Sequence, residues 1–445
     1  MAKEQPKVLF VLPEYYPHSG GGISTYYIQY IKALAPHCSA MKVIVGSGYL
    51  QKTDKFDLAD NVKVEYLSPD LYNSYLQKFD KFSFIPEYKS NIAAAWAMWE
   101  QAAEGKGYDI VECTDFAMGY IPWAIHHATP LVVRLHGSSG QIEINEPELE
   151  QAIFGDFCRS TETLLLAKAS CLISHSKQNA EFWRPILPAT KIEYIPPVFE
   201  MKLTQRPVSQ KEDFAMICGR VQQWKGPDVL CKSLQELQCP ELEFRWIGRD
   251  TVYRAGRSKA NQLSQDYPMI WGKQIRLNAP LPTEELSTLQ EKAKYAIVPS
   301  TWDMFNFTVL EYMANGTPVL CSVGAGASEL IVHSKNGFTF GINDSKALAQ
   351  LIEKMSNIDA NEYDELVNEA HQTIKNLAGS KIIPLNLQVY QEVIEKFSVS
   401  KLNNYLASAY LPTTKRGYMD QLLDQISLKK LSAYLMNRIK KKYAK

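Results

Sequence analysis

PSTWDMFNFTVLEYMANGTPVLCS, residues 299–322, decides how the rest of this chain is to be read. It emerges from a buried strand, Tyr295-Ala-Ile-Val298, and passes through a short turn. A helix is expected from near Phe305 to Asn315-Gly316, and Thr317-Pro318 leads into another apolar strand. Asp303 sits at the tip of the turn, and Glu311 follows about two helical turns later. Between them come the N–H groups of Asn306, Phe307 and Thr308 at the helix start. Free N–H groups and the helix dipole attract phosphate. Carboxylates on either side can accept bonds from hydroxyls. The stretch suits a ligand with phosphate in the middle and hydroxyls at both ends. Asp303 alone reads equally well as a helix cap, but Glu311 lies in the apolar run VLEYMA, where a carboxylate needs a partner.

Working outward, the same strand–loop–helix unit recurs. KVLFVL (7–12) leads to a Gly20-Gly-Gly22 loop, a helix Ile23–Ala35 and a strand Met41–Gly46. Residues 51–90 break the rhythm and read as an aromatic insertion. Strands at 108–112, 131–135, 171–174 and 192–195 complete a first half that ends at Pro196-Pro197. Residues 200–213 are polar and aperiodic, which marks a linker. The pattern restarts with strand Phe214–Cys218, the loop Gly219-Arg-Val-Gln-Gln-Trp-Lys-Gly226 and helix 227–236. Two doubly wound α/β domains follow, with ligands expected at the carboxyl ends of their strands. The divisions expected are 1–200, 201–385, a crossing helix at 386–400 and a basic extension at 401–445.

Arg220 and Lys225 flank a loop directly after a strand, where a diphosphate would need positive charge. The glycine run lacks the spacing of a dinucleotide fingerprint, which argues against NAD. His136 follows the strand 131–135 and reads either as a hydrogen-bonded structural residue or as a catalytic one. No Asp-x-Asp and no His/Cys/Asp/Glu cluster has metal-ligand spacing, so no metal cofactor is expected. Lys+Arg and Asp+Glu both total 48, which gives no electrostatic reason to expect nucleic acid. The eight cysteines are scattered without a CxxC pair, as in a reduced cytoplasmic protein. No run reaches the length of a membrane span. From Gln425 onward the chain has seven Lys or Arg and no acid, with Leu428, Leu431, Leu435 and Ile439 at helical spacing. Such a helix is either a solvated end or a docking element for an anionic membrane face.

Taken together, GRVQQWKG, FRWIG, PSTWDMFNFTVLEYMANGTPV, GAGASELIVHSKNGF, GGGIS, RLHG and TETLLLAKASCLISHSKQNA resemble glycosyltransferase family 4 over residues 7–397. The resemblance implies the GT-B fold, two Rossmann-like domains facing each other across a crevice. It implies a retaining transferase that moves a hexose-type sugar from a UDP- or GDP-sugar donor to an acceptor hydroxyl. The acceptor would be a glycan or glycolipid in polysaccharide or glycolipid assembly. By this likeness Arg220 and Lys225 hold the diphosphate and Glu311 takes the ribose hydroxyls. Asp303 and the backbone of Met304, Phe305, Asn306, Phe307 and Thr308 contact sugar and phosphate. His136 binds the sugar, and Gly21 and Gly22 let the first domain approach the diphosphate. Asp303 stands where the family usually has Glu, and Met304-Phe305-Asn306 replaces Gly-Phe-Gly, so the donor sugar does not carry over. Tyr15, Tyr16, Tyr26 and Tyr27 are candidates to shape the acceptor side. The rival readings are a non-catalytic binding protein on this fold and another enzyme class on a related one.

Overall fold

The computed structural model describes all residues except 1–4, 19–20, 238–241, 254–255, 400, 414–425 and 444–445. Gly20, Cys239 and Lys445 therefore lie outside the described residues. The first sheet contains β1 (Lys7–Leu12), β2 (Ala40–Val45), β3 (Lys55–Ala59), β4 (Val62–Tyr66), β5 (Ile110–Thr114), β6 (Leu131–Leu135), β7 (Cys171–Ser174) and β8 (Ile192–Tyr194). Their spatial order is β3-β4-β2-β1-β5-β6-β7-β8. The second contains β9 (Glu212–Cys218), β10 (Glu243–Ile247), β11 (Ile275–Asn278), β12 (Ala293–Val298), β13 (Val319–Ser322) and β14 (Phe338–Phe340), in the order β11-β10-β9-β12-β13-β14. Continuous apolar strands such as KVLFVL belong in parallel sheets covered on both faces. Among the described strands of the two sheets, β3–β4 is the one antiparallel pairing.

The chain winds outward in both directions from β1/β5 in one sheet and from β9/β12 in the other. A crevice at the carboxyl ends opens at such switch points. The loops that leave these four strands are therefore the ones that matter: residues 13–21, 115–120, 219–226 and 299–307.

Three expectations are corrected. Residues 51–90 are not an irregular insertion: β4 extends the sheet beside β2, and β3 closes its edge. Val62, Val64 and Tyr66 alternate inward, while β3 is largely exposed, as a charged edge strand should be. The helix after β12 spans Thr308–Ala314 rather than starting near Phe305. Asn306 has φ of 75°, a left-handed conformation that interrupts a helix and that Asn tolerates. The boundary expected at 385/386 falls inside one helix, Gly379–Glu395, which packs on the first domain. Beyond it, Leu402 N–H donates to Ile125 O, Trp96 Nε1 to Tyr410 O and Thr413 N–H to Lys78 O. Residues 402–413 thus run along the first domain.

One polar cluster pins the crossing helix. Arg134 on β6 and Glu112 on β5 form a two-pronged ion pair at 2.8 and 2.9 Å with both side chains fully buried. Tyr27 and Tyr390 hydroxyls donate to Glu112, and Asn386 Oδ1 accepts from Arg134. Arg134 also lies over the Tyr30 ring at 4.6 Å. The seven described cysteines are buried thiols.

Candidate active site

The second domain supplies one wall. β9 ends at Cys218, and the chain passes through Gly219 and Arg220 into a short turn, Gln223–Lys225. Gly226 ends that turn with φ of 71°, and a Cβ there would lie 1.9 Å from Pro299 O. Glycine at that position lets the loop press against the start of the stretch after β12. Lys225 Nζ donates to Asp303 Oδ2 at 2.5 Å, and both side chains are largely buried. Asp303 is thus bonded to the lysine. Arg220 is exposed and has no ion-pair partner among the described residues.

From Met304 to Thr308 five consecutive backbone N–H groups have no protein acceptor among the described residues. Asp303 N–H before them donates to Gly324 O, and Val309 N–H after them to Asn306 O. Such a row of free donors is costly unless water or a ligand takes it. Glu311 is half-buried next to Gln290, whose amide donates to its carboxylate at 3.2 Å. Burial raises the Glu311 pKa against the opposing effect of that bond. Gln290 is itself held by Asn315, so the carboxylate has a fixed neighbour.

The first domain supplies the other wall. His136 follows β6, and its backbone N–H donates to Asp115 at 2.7 Å. Burial, then the Arg134 charge, lowers its pKa to about 3. The ring is neutral near pH 7, and its Nε2 is buried without a partner among the described residues. Asp115 is fully buried, with its pKa raised to about 7 by burial and one carboxylate oxygen without a partner among the described residues. His175, after β7, sets its ring edge-on to His136 with centroids 5.3 Å apart, and its Nε2 has no partner among the described residues. Asp115 and His175 were not singled out from sequence. Their signal was available: each is a polar residue immediately after an apolar strand, IVECT and CLIS.

The glycines sit differently from a bare phosphate cradle. A Cβ on Gly21 would collide with the Glu14 carboxylate, which accepts the Ser24 N–H at the helix start. A Cβ on Gly22 would lie 3.7 Å from the Phe307 ring. Phe305 and Phe307 are buried against Tyr26 and His175 of the first domain. The two walls therefore meet along 302–307, where Met304 and Trp302 also lie 3.6 Å from the Cβ position of Gly137.

Of the tyrosines proposed for the acceptor side, Tyr15, Tyr26 and Tyr27 are core residues, whereas Tyr16 is exposed. Tyr49, after β2, is exposed too and packs near Phe116 at 6.4 Å. Tyr49 lies within electrostatic reach of Arg220 of the second domain. Among the described residues, no group of three His, Cys, Asp or Glu is placed to hold a metal.

The sequence family described as "Glycosyl transferases group 1" matches residues 200–373, which covers most of the second domain. A D-inositol 3-phosphate glycosyltransferase of Corynebacterium diphtheriae is 22% identical over 274 residues. That alignment covers 57% of this chain and 63% of the relative, under two thirds of its length. Sucrose-phosphate synthase from Thermosynechococcus elongatus superposes with a TM-score of 0.67 at 18% identity, covering 88% of this chain and 99% of that one. Anabaena HepE in complex with UDP-glucose gives 0.60 at 18% identity, covering 87% and 100%. The fold is GT-B, and together these likenesses support a glycosyltransferase on it.

Proposed function

We propose that the protein is a retaining glycosyltransferase that moves a hexose-type sugar from a UDP- or GDP-sugar to an acceptor hydroxyl without a divalent ion. The observation that carries this reading is one continuous wall: Arg220, Lys225, the five free N–H groups of 304–308 and Glu311. It lies at the β9/β12 switch point, within the matched residues. Two cations and a row of donors suit a diphosphate, and Glu311 suits the ribose hydroxyls. The UDP-glucose held by the Anabaena neighbour supports UDP as the first donor to try.

The chemistry assigned to the site is front-face transfer. The acceptor hydroxyl attacks the sugar carbon on the face the diphosphate leaves, and its proton passes to the departing phosphate oxygen. Positioning and charge neutralisation then supply most of the rate. Neutral His136 serves as a hydrogen-bonding group to the sugar rather than as an acid. Asp303 acts first on Lys225 and only through the geometry of that pair on the sugar. Exposed Tyr16 and Tyr49 offer flat rings for a glycan acceptor on the first domain.

The test is a thermal-melt panel of nucleotides with and without chelator. UDP or GDP at about 100 times its Kd should add about 2.7 kcal/mol of stability, a rise of a few degrees that chelator leaves in place. No shift with any nucleotide would sink the reading.

The tail adds a membrane proposal. The helix Leu428–Tyr443 exposes Leu428, Leu435, Met436 and Ile439 beside Lys429, Lys430, Arg438 and Lys440. No helix among the described residues is long and apolar enough to cross a membrane. A basic helix with an apolar stripe suits the anionic cytoplasmic face of a membrane, where a nucleotide-sugar enzyme would meet a glycolipid acceptor. The protein should sediment with anionic vesicles and lose most of that binding when cut after residue 413. Equal sedimentation of both forms would remove the tail as the anchor.

A further inference from the structure

Carboxylates of the first domain reach into the second. Glu146, fully buried at the end of a helix in the first domain, accepts the backbone N–H groups of Gln223 and Trp224, each at 3.1 Å. It also accepts the Tyr253 hydroxyl. Burial, then this bond to Glu146, holds the Tyr253 hydroxyl well above its usual pKa, so it remains a donor. Just outside, Arg257 pairs with Glu148 and Glu150 at 2.8 Å. All three acids come from the segment Glu146-Pro-Glu-Leu-Glu150, and all their partners belong to the second domain.

The two N–H groups that Glu146 takes lie in the same turn as Lys225. Trp224 continues the contact inward. Its carbonyl accepts Thr301 N–H at 2.8 Å, and its ring stacks on Trp302 at 4.7 Å. Trp302 immediately precedes Asp303, the partner of Lys225. A carboxylate of the first domain thus holds both ends of the Lys225–Asp303 pair through one turn. Removing it would strand two N–H groups and a hydroxyl, each costing enough to make the turn rearrange.

We propose that Glu146 is a positioning residue, which fixes the turn carrying Lys225 so that the diphosphate subsite is complete only when both domains are engaged. This rests on the proposed donor reading. The role explains why an acid lies near a site for an anion: its charge is spent on the backbone of the turn.

Three variants of the full chain test it, each with UDP affinity by calorimetry, donor kinetics per folded enzyme, and amide exchange without ligand. Glu146→Ala should lower kcat/KM for the donor about 100-fold, mostly in kcat, because charge on the leaving diphosphate grows in the transition state. Glu146→Gln keeps an acceptor oxygen and should stay within about tenfold of the parent. Arg257→Ala breaks only the outer pairs and should cost under about threefold. The amides of Gln223 and Trp224 should lose protection in Glu146→Ala and keep it in Arg257→Ala. Unchanged constants or unchanged protection in Glu146→Ala overturns the proposal. So does an equal fall in Glu146→Ala and Arg257→Ala, which would assign the effect to domain contact as a whole. A parent protein that binds no nucleotide would defeat the donor reading, while the exchange comparison would still decide whether Glu146 holds the turn.

Discussion

Lys225→Ala should lower kcat/KM for the nucleotide-sugar donor by about 100-fold or more, and Arg220→Ala by less. The difference comes from their settings. Arg220 is exposed, so water shares its charge. Lys225 is largely buried, and its ammonium is fixed by Asp303 at 2.5 Å. A fixed donor at the departing phosphate is worth roughly 2.7–4 kcal/mol in the transition state. Losing it also leaves the Asp303 carboxylate without its cation beside an anionic ligand, a second penalty in the same direction. Asp303→Asn therefore offers a diagnostic. If Asp303 mainly holds Lys225, the Lys225→Ala/Asp303→Asn pair should be clearly less damaging than the sum of the single changes. Additive losses would instead give Asp303 an independent contact with the sugar. A Lys225→Ala enzyme within about threefold of the parent would remove the diphosphate role altogether.

Arg134→Met should be the most destabilising single change, by about 3–5 kcal/mol, because it leaves the Glu112 carboxylate buried without its cation. Tyr27 and Tyr390 would still donate to Glu112, but two neutral hydroxyls do not replace a two-pronged guanidinium. The double change Arg134→Met/Glu112→Gln should recover a substantial part of the loss, since it removes the stranded charge. Denaturant midpoints of the parent and the two variants decide the matter. A single-variant loss under about 1 kcal/mol would show that the cluster has another way to neutralise Glu112. The same cluster contains Tyr390 and Asn386, so looser docking of the helix Gly379–Glu395 should accompany the loss.

Much of the frame was legible because parallel strands and their loops are local signals. The helices 227–236 and 283–292 and the strand 243–247 read directly from period and composition. Arg220 and Lys225 could be picked out as cations flanking a loop directly after a strand, and Glu311 as a charge in an apolar helix. Residues 51–90 were misread because the β3–β4 hairpin has short strands in which charges alternate with apolar residues, so no long apolar run announces it. The start of the Thr308–Ala314 helix was missed for a backbone reason, the left-handed Asn306. Tyr15, Tyr26 and Tyr27 were placed on the wrong side of the boundary between core and surface. Period shows that a helix has an apolar face, but not that its tyrosines fill the core beneath the crevice. Glu146 lay furthest from reach. In Glu-Pro-Glu-Leu-Glu it reads as one acid in a solvated turn, and its partners lie 77 and 78 residues away in sequence. Nothing local distinguishes it from Glu148 or Glu150.

The return of the chain has a mechanical consequence. Because the Gly379–Glu395 helix and residues 402–413 rest on the first domain, the second domain is an excursion with two tethers, one near 196–211 and one near 378. A body held at one point can swivel freely, whereas one held at two neighbouring points turns chiefly about the line that joins them. Opening should thus follow a narrow arc, and the wall bearing Lys225 should return along the same arc to the same place. Reproducible registration of the two walls, turnover after turnover, is then a property of how the backbone is threaded as well as of the contacts made on closing.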